Sequence, residues 1–183
     1  MRKRETREPA DANPGSPAAI PIPSIGQGKR GETGHLGYLL RQAAGGFRLR
    51  LDRDLADLAV TSPQFVVMTM IAAYPGLSNA DLARLSMLTP QTVSVIIANL
   101  LRAETVIRRH HAVHGRIQQL ELTKAGQVLL AKCRARVQLI EAQLSAGVSP
   151  REEEAIRRWL VAAALLGGGA QSASVDPADR DRD

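Results

Sequence analysis

Residues 77–122 read LSNADLARLSMLTPQTVSVIIANLLRAETVIRRHHAVHGRIQQLEL, and this stretch decides the fold. Two helix starts stand close together in it. At Ser78-Asn79-Ala80-Asp81 the serine hydroxyl can accept from a free amide of the first turn, and the acid three residues on can cap back. Leu82, Ala83 and Leu85 then supply apolar contacts over two short turns. Ser86 to Leu88 separates this helix from the next. Thr89-Pro90 opens that one with a capping hydroxyl and a proline at the first helical position, where its missing N–H costs nothing.

The second helix is expected from Pro90 to Ala103, and its faces separate. Val93, Ile96, Ile97, Leu100 and Leu101 recur at helical spacing and should face a core. Gln91, Thr92, Ser94, Val95 and Asn99 are left for the opposite side and flanks. They are short and uncharged. Gln and Asn pair with adenine in a major groove, and Thr or Val meets a thymine methyl. A solvated amphipathic helix has the same pattern, so this helix taken alone leaves both readings open.

The residues that follow favour nucleic acid. Val106-Ile107 reads as a short strand, continued by Arg108-Arg109-His110-His111. Ile117-Gln118-Gln119-Leu120-Glu121-Leu122 alternates apolar and polar residues, as a half-solvated strand does. His114-Gly115 supplies a turn between them. Such a hairpin carries Arg116 near its tip, where a guanidinium can enter a minor groove while Arg108 and Arg109 meet phosphates. Helix, turn, helix and basic hairpin together are far rarer than an isolated basic patch.

Outward from this unit, Thr61-Ser62-Pro63-Gln64 opens a preceding helix as a capping box. Phe65, Val66, Met68, Met70 and Ile71 make that helix strongly apolar, and Tyr74-Pro75-Gly76 ends it. Before it, Leu36, Leu40, Ala43, Phe47, Leu51, Leu55 and Leu58 fall at spacings of three and four, predicting a long helix from Gly34 or His35 to Leu58. Gly45-Gly46 marks a bend or a close helix crossing within it. After the hairpin, Thr123 caps a second long helix to about Ala146, with Leu129, Cys133, Val137, Ile140 and Leu144 as its stripe. Ser149-Pro150-Arg151-Glu152 restarts a last helix, whose apolar face is Ile156, Trp159, Leu160 and Ala163.

The expected organisation is therefore a disordered, basic and Pro-rich tail over 1–33, dimerisation helices over 34–60 and 123–166, a winged helix-turn-helix over 61–122, and a disordered tail over 167–183. The fold class is mainly α, with a two-stranded wing and flanking N- and C-terminal dimerisation helices. The terminal helices carry more apolar stripe than so small a core needs, which a homodimer explains. Two copies of the reading helix would then meet successive major grooves about 34–36 Å apart on a palindromic site.

Composition agrees with this class. The chain has 183 residues, 44% of them hydrophobic, and a formal charge of +6, which suits an anionic partner. No run of apolar residues approaches membrane-spanning length. A single cysteine rules out an intramolecular disulfide framework. A soluble, cytoplasmic protein without a membrane partner is expected. No paired carboxylates, nucleophile elbow or phosphate-binding glycine loop is present, so an enzyme is not expected, and neither is a cofactor. His110, His111 and His114 have no Cys or acid near them in sequence, so groove or phosphate contact is favoured over metal binding. Their charge changes near neutral pH, which predicts a pH-dependent affinity for DNA. Cys133 lies on an apolar stripe and reads as a core residue.

Over roughly Gly34 to Ala164 the chain resembles the MarR family of winged helix-turn-helix transcription regulators. The anchors are Thr61-Ser62-Pro63-Gln64-Phe65, Tyr74-Pro75-Gly76-Leu77-Ser78-Asn79-Ala80-Asp81-Leu82-Ala83, Thr89-Pro90-Gln91-Thr92-Val93-Ser94, Gly115-Arg116 and Leu122-Thr123-Lys124-Ala125-Gly126. Three positions depart from the family's pattern: Val95 replaces a common arginine, Glu104 a glycine before the first wing strand, and His114 an aspartate that steadies the wing arginine. The resemblance implies a dimeric, ligand-responsive regulator, in the usual case a repressor. It implies DNA contacts from Ser78, Thr89, Gln91, Thr92, Ser94, Val95, Asn99, Arg108, Arg109, His114 and Arg116. It also implies an effector, a small aromatic or phenolic acid or its thioester, held near His35, Tyr38, Arg41, Phe47, Arg48 and Met68. The reactive cysteine of oxidant-sensing relatives lies near the first helix, where this chain has none. The alternatives are a constitutive or architectural DNA-binding protein without an effector, and an interaction module that has lost DNA binding.

Overall fold

The computed structural model describes residues 22–110 and 118–168; His110 and Gln118 are placed by their backbone alone. The order is α1 (Leu36–Asp54), α2 (Ser62–Ala73), α3 (Asn79–Ser86), α4 (Pro90–Arg102), β1 (Val106–His110), β2 (Gln118–Leu122), α5 (Lys124–Leu144) and α6 (Pro150–Gly168). Short 3-10 helices stand at Gly28–Arg30 and Ala56–Leu58. The described residues divide into two units, parted between Phe47 and Arg48.

In the first unit, the stretch assigned to the N-terminal tail carries local structure from Ile22 onward, including the Gly28–Arg30 turn. Arg30 donates through Nη1 to the Pro23 carbonyl at 2.9 Å and through Nη2 to Gln42 Oε1 at 3.4 Å. The helix runs unbroken through Gly45-Gly46, and nothing lies within 4 Å of where either Cβ would stand. The pair therefore does not interrupt the helix, and no described residue crosses close to it.

The second unit is built on α2, which is apolar on every side and so must lie at the centre. Its N-terminus is secured twice. Thr61 Oγ1 accepts from Gln64 N while Gln64 Oε1 accepts from Thr61 N at 2.9 Å, completing the expected capping box. Asp52 Oδ1 accepts from Ser62 N at 2.7 Å, a carboxylate at the positive end of the helix dipole. The α helix α1 ends at Asp54, short of the expected Leu58, because the chain must turn here to place Asp52 over α2. The turn is made by the 3-10 segment and by Ala59 in the left-handed region.

Around α2 pack α3, α4, α5 and β2. Val67, Met68, Ile71, Leu82, Ala83, Val93, Ile96, Ile97, Leu100, Val106, Leu120 and Leu130 form one continuous core. A smaller cluster joins Leu55, Val60 and Cys133, where burial pushes the cysteine thiol up. On α5 the buried stripe is Gly126, Leu130, Cys133 and Ile140. Leu129 and Val137 are only half-buried, and Leu144 is exposed, since by its last turn α5 has outrun the core. Leu101 is likewise half-buried rather than internal. Arg136 holds α5 to the preceding chain: it donates to the Asp54 carbonyl at 2.7 Å and grips both oxygens of Asp57, through Nη2 at 2.7 Å and through Nη1. No residue of α6 from Pro150 to Leu166 is buried, and Ile156, Trp159, Leu160, Val161, Leu165 and Leu166 are exposed on it. No helix of the described residues is long and apolar enough to cross a membrane.

Candidate nucleic-acid interface

The two helix starts form as their sequence dictates. Ser78 Oγ accepts from Asp81 N at 3.1 Å, and Asp81 Oδ2 accepts from Ser78 N at 3.2 Å. The same serine hydroxyl donates to Asp81 at 2.6 Å, and Arg84 pairs with the other carboxylate oxygen. The Ser78 hydroxyl, then the Arg84 guanidinium, hold the Asp81 carboxyl below its ordinary range. Thr89 Oγ1 accepts from Thr92 N at 3.2 Å. Between the helices Met87 adopts the left-handed conformation, φ 54°, and Leu88 N donates to the Ala83 carbonyl at 3.0 Å. That tight turn sets α4 across α3.

α4 is divided as its pattern predicts. Val93, Ile96, Ile97 and Leu100 are buried, so Gln91, Thr92, Ser94, Val95, Ala98 and Arg102 are left exposed, with Asn99 at the margin. Several of these polar groups are engaged within the helix. Ser94 Oγ donates to the Pro90 carbonyl at 2.9 Å, the Thr89 and Thr92 hydroxyls lie 2.9 Å apart, and Arg102 Nη1 donates to Asn99 Oδ1 at 3.0 Å. Ala98 and Arg102 were missed by residue type; the signal was spacing, since both lie on the line through Gln91 and Val95 at helical intervals.

The wing strands pair antiparallel with Val106 opposite Leu122, Arg108 opposite Leu120 and Arg109 opposite Gln119. Val106 and Leu120 anchor the hairpin in the core. Arg108 is exposed, and Arg109 Nε pairs with Glu121 Oε2 at 2.8 Å, diagonally across the ladder. Sequence reasoning left Arg109 for phosphates and did not find this partner, because strand register was not legible. His111, His114 and Arg116 lie outside the described residues.

The base of the wing is fixed by contacts that no single motif announces. Glu104, at the position before the strand, has φ 55°. Only glycine adopts that conformation freely, which accounts for the glycine of the family's pattern. Thr105 N and Oγ1 both bond the Leu100 carbonyl at 3.1 Å, ending α4. Thr123 then ties three elements: its N donates to the Thr105 carbonyl at 3.1 Å, its hydroxyl donates to the Glu104 carbonyl at 2.8 Å, and the same oxygen accepts from Gly126 N at 3.0 Å.

Of the residues expected near an effector, His35, Tyr38 and Arg41 are exposed and Phe47 is half-buried in the first unit. In the second, exposed Arg48 borders an open hollow of about 530 Å³ with Asp52, Ala56, Ala59, Val60, Thr61 and Pro63. Arg48 Nε stands 3.7 Å from Asp52 Oδ2. Met68 has no exposed surface and packs inside the winged core, so it does not border that hollow. Among the described residues no cluster of His, Cys, Asp or Glu could hold a metal ion.

Comparison with known proteins agrees with this geometry. Residues 60–118 match the MarR family. The HTH-type transcriptional repressor Rv2887 of Mycobacterium tuberculosis is 32% identical over 125 residues, covering 68% of this chain and 90% of the repressor. The crystal structure of that protein in complex with salicylic acid aligns with a TM-score of 0.59 at 31% identity, over 70% of this chain and 96% of the other. Its complex with DNA aligns with a TM-score of 0.57 at 30% identity, over 73% and 98% of the two chains. With the capped helix pair, the divided α4 and the two-stranded wing in place, these likenesses establish that the chain belongs to the MarR family of winged helix-turn-helix, DNA-binding transcription regulators.

Proposed function

We propose that this regulator is a cytoplasmic homodimeric repressor, released from a palindromic operator by a small aromatic or phenolic acid or its thioester. The observation that carries the reading is the division of α4: one face is locked into the core, and the other presents Gln91, Ser94 and Val95 to solvent beside the basic strand β1. A helix so held has no structural need for that outer face. Gln91 reads adenine, while Thr92 and Asn99 flank it. Ser78 and Thr89 cap the starts of α3 and α4, where free amides attract phosphate. Arg108 and Arg109 meet the backbone, and His114 and Arg116 extend the contact into the minor groove.

Homodimerisation is supported by the bare apolar face of α6, which a second copy would cover. Effector control is supported by the salicylic acid complex of the 31% identical relative and by the hollow beside Arg48, whose guanidinium suits a carboxylate. Independently of that hollow, the family resemblance offers His35, Tyr38, Arg41 and Phe47 of the first unit as candidate effector contacts. Bound acid would favour dimers whose α4 helices are misplaced for successive grooves. Mobility shift with the DNA upstream of the protein's own gene tests the reading, with and without salicylic acid and related aromatic acids and thioesters. Specific binding released by one of them is expected. Specific binding that none releases overturns effector control by this class, and sedimentation as a monomer at binding concentrations overturns the dimer.

A further inference from the structure

The middle of the exposed face of α4 is apolar, and nothing in the fold requires it. Val95 is 61% exposed, two residues from fully buried Val93 and on the opposite side of the helix. Ala98, three residues on, is exposed beside it. The polar neighbours are engaged within the helix: the Ser94 hydroxyl donates to the Pro90 carbonyl, and Asn99 Oδ1 accepts from Arg102. A base edge approaching this point meets methyl groups. Of the four bases, only thymine shows a methyl group in the major groove; cytosine presents an amino donor there, which loses its water without gaining an acceptor.

From this we infer that Val95, backed by Ala98, is a specificity-determining residue that reads a thymine 5-methyl group. The inference rests on α4 being the reading helix. At about 1.5 Å rise per residue, Val95 stands about 6 Å along the axis from Gln91, or about two base-pair steps. The thymine therefore lies within about two base pairs of the base that Gln91 reads.

The test begins with full-length protein selecting a duplex from random-sequence DNA. Each thymine of the selected site is then replaced singly by deoxyuridine, which keeps the pairing edge and removes only the methyl. One position per half-site is expected to weaken binding roughly fourfold, the worth of one buried methyl. Val95→Ser protein should bind the thymine and deoxyuridine duplexes equally, and Val95→Thr, which keeps one methyl, should discriminate partly. Unchanged melting temperatures would show that both variants fold, as an exposed position predicts. A selected site insensitive to deoxyuridine throughout overturns the inference and leaves the DNA-reading role of α4 standing. Sensitivity that persists in Val95→Ser assigns the methyl to another residue and also overturns it. Failure to select any sequence overturns the reading role of α4 and the inference together.

Discussion

Gly126, in the first turn of α5, lies so close to Thr105 that a Cβ at that glycine would stand 1.9 Å from the Thr105 carbonyl oxygen. The contact is backbone on backbone, at the point where β1 leaves α4 and β2 enters α5. Neither partner can rotate away, because Thr105 is bonded to Leu100 and Thr123 is bonded to Glu104 and Gly126. The orientation of the wing is therefore set by how near α5 can approach.

Gly126→Ala forces these elements apart. We expect a loss of at least about 2 kcal/mol of stability in urea or thermal unfolding, the upper part of the usual cost of overpacking. DNA affinity should fall as well, because the hairpin is displaced from α4. A variant that melts and binds like the parent would show that the contact yields easily.

Glu104 bears a left-handed conformation that costs a side-chain-bearing residue about 1 kcal/mol. Glu104→Gly is expected to raise stability by about that amount, whereas Glu104→Ala should not. The two variants lose the same carboxylate, so the difference between their unfolding midpoints isolates the backbone contribution.

The Arg109–Glu121 pair is open to solvent and contributes little to stability, less than about 1 kcal/mol. Its effect should appear in DNA binding. Glu121→Gln releases the guanidinium and removes a negative charge beside it. The expected outcome is tighter binding and a steeper dependence of log affinity on log salt, by about one counterion per wing. An unchanged salt slope would mean that Arg109 does not reach a phosphate.

The Arg136 guanidinium beside Asp57, chiefly through its hydrogen bonds, holds that carboxyl below its ordinary value of 3.8. A depressed folded-state value means that the unfolded chain takes up the proton first. The stabilisation is fully present above the ordinary value and is lost as pH falls through the lower folded one. Asp57→Asn should lower stability at neutral pH and flatten its decline in acid. The parent and variant curves are expected to converge once pH has fallen below the lowered folded value, checked by thermal unfolding at matched ionic strength.

What the sequence by itself determined was local. Ser78 with Asp81, Thr61 with Gln64, and Thr89 with Pro90 act within four residues, so their caps follow from spacing alone. Val93, Ile96, Ile97 and Leu100 were legible as a buried face because helical period links them directly. The resemblance to one family, read from such anchors, correctly implied the winged frame. Tertiary structure alone decided the relationships between elements distant in the chain. Strand register paired Arg109 with Glu121, and close approach of α5 placed Gly126 on Thr105. The same packing left Leu144 in solvent, enclosed Met68, and gave Glu104 its positive φ. Local pattern states which face of a helix is apolar. Which neighbour covers that face, and how near it comes, depends on the packing of all the elements together.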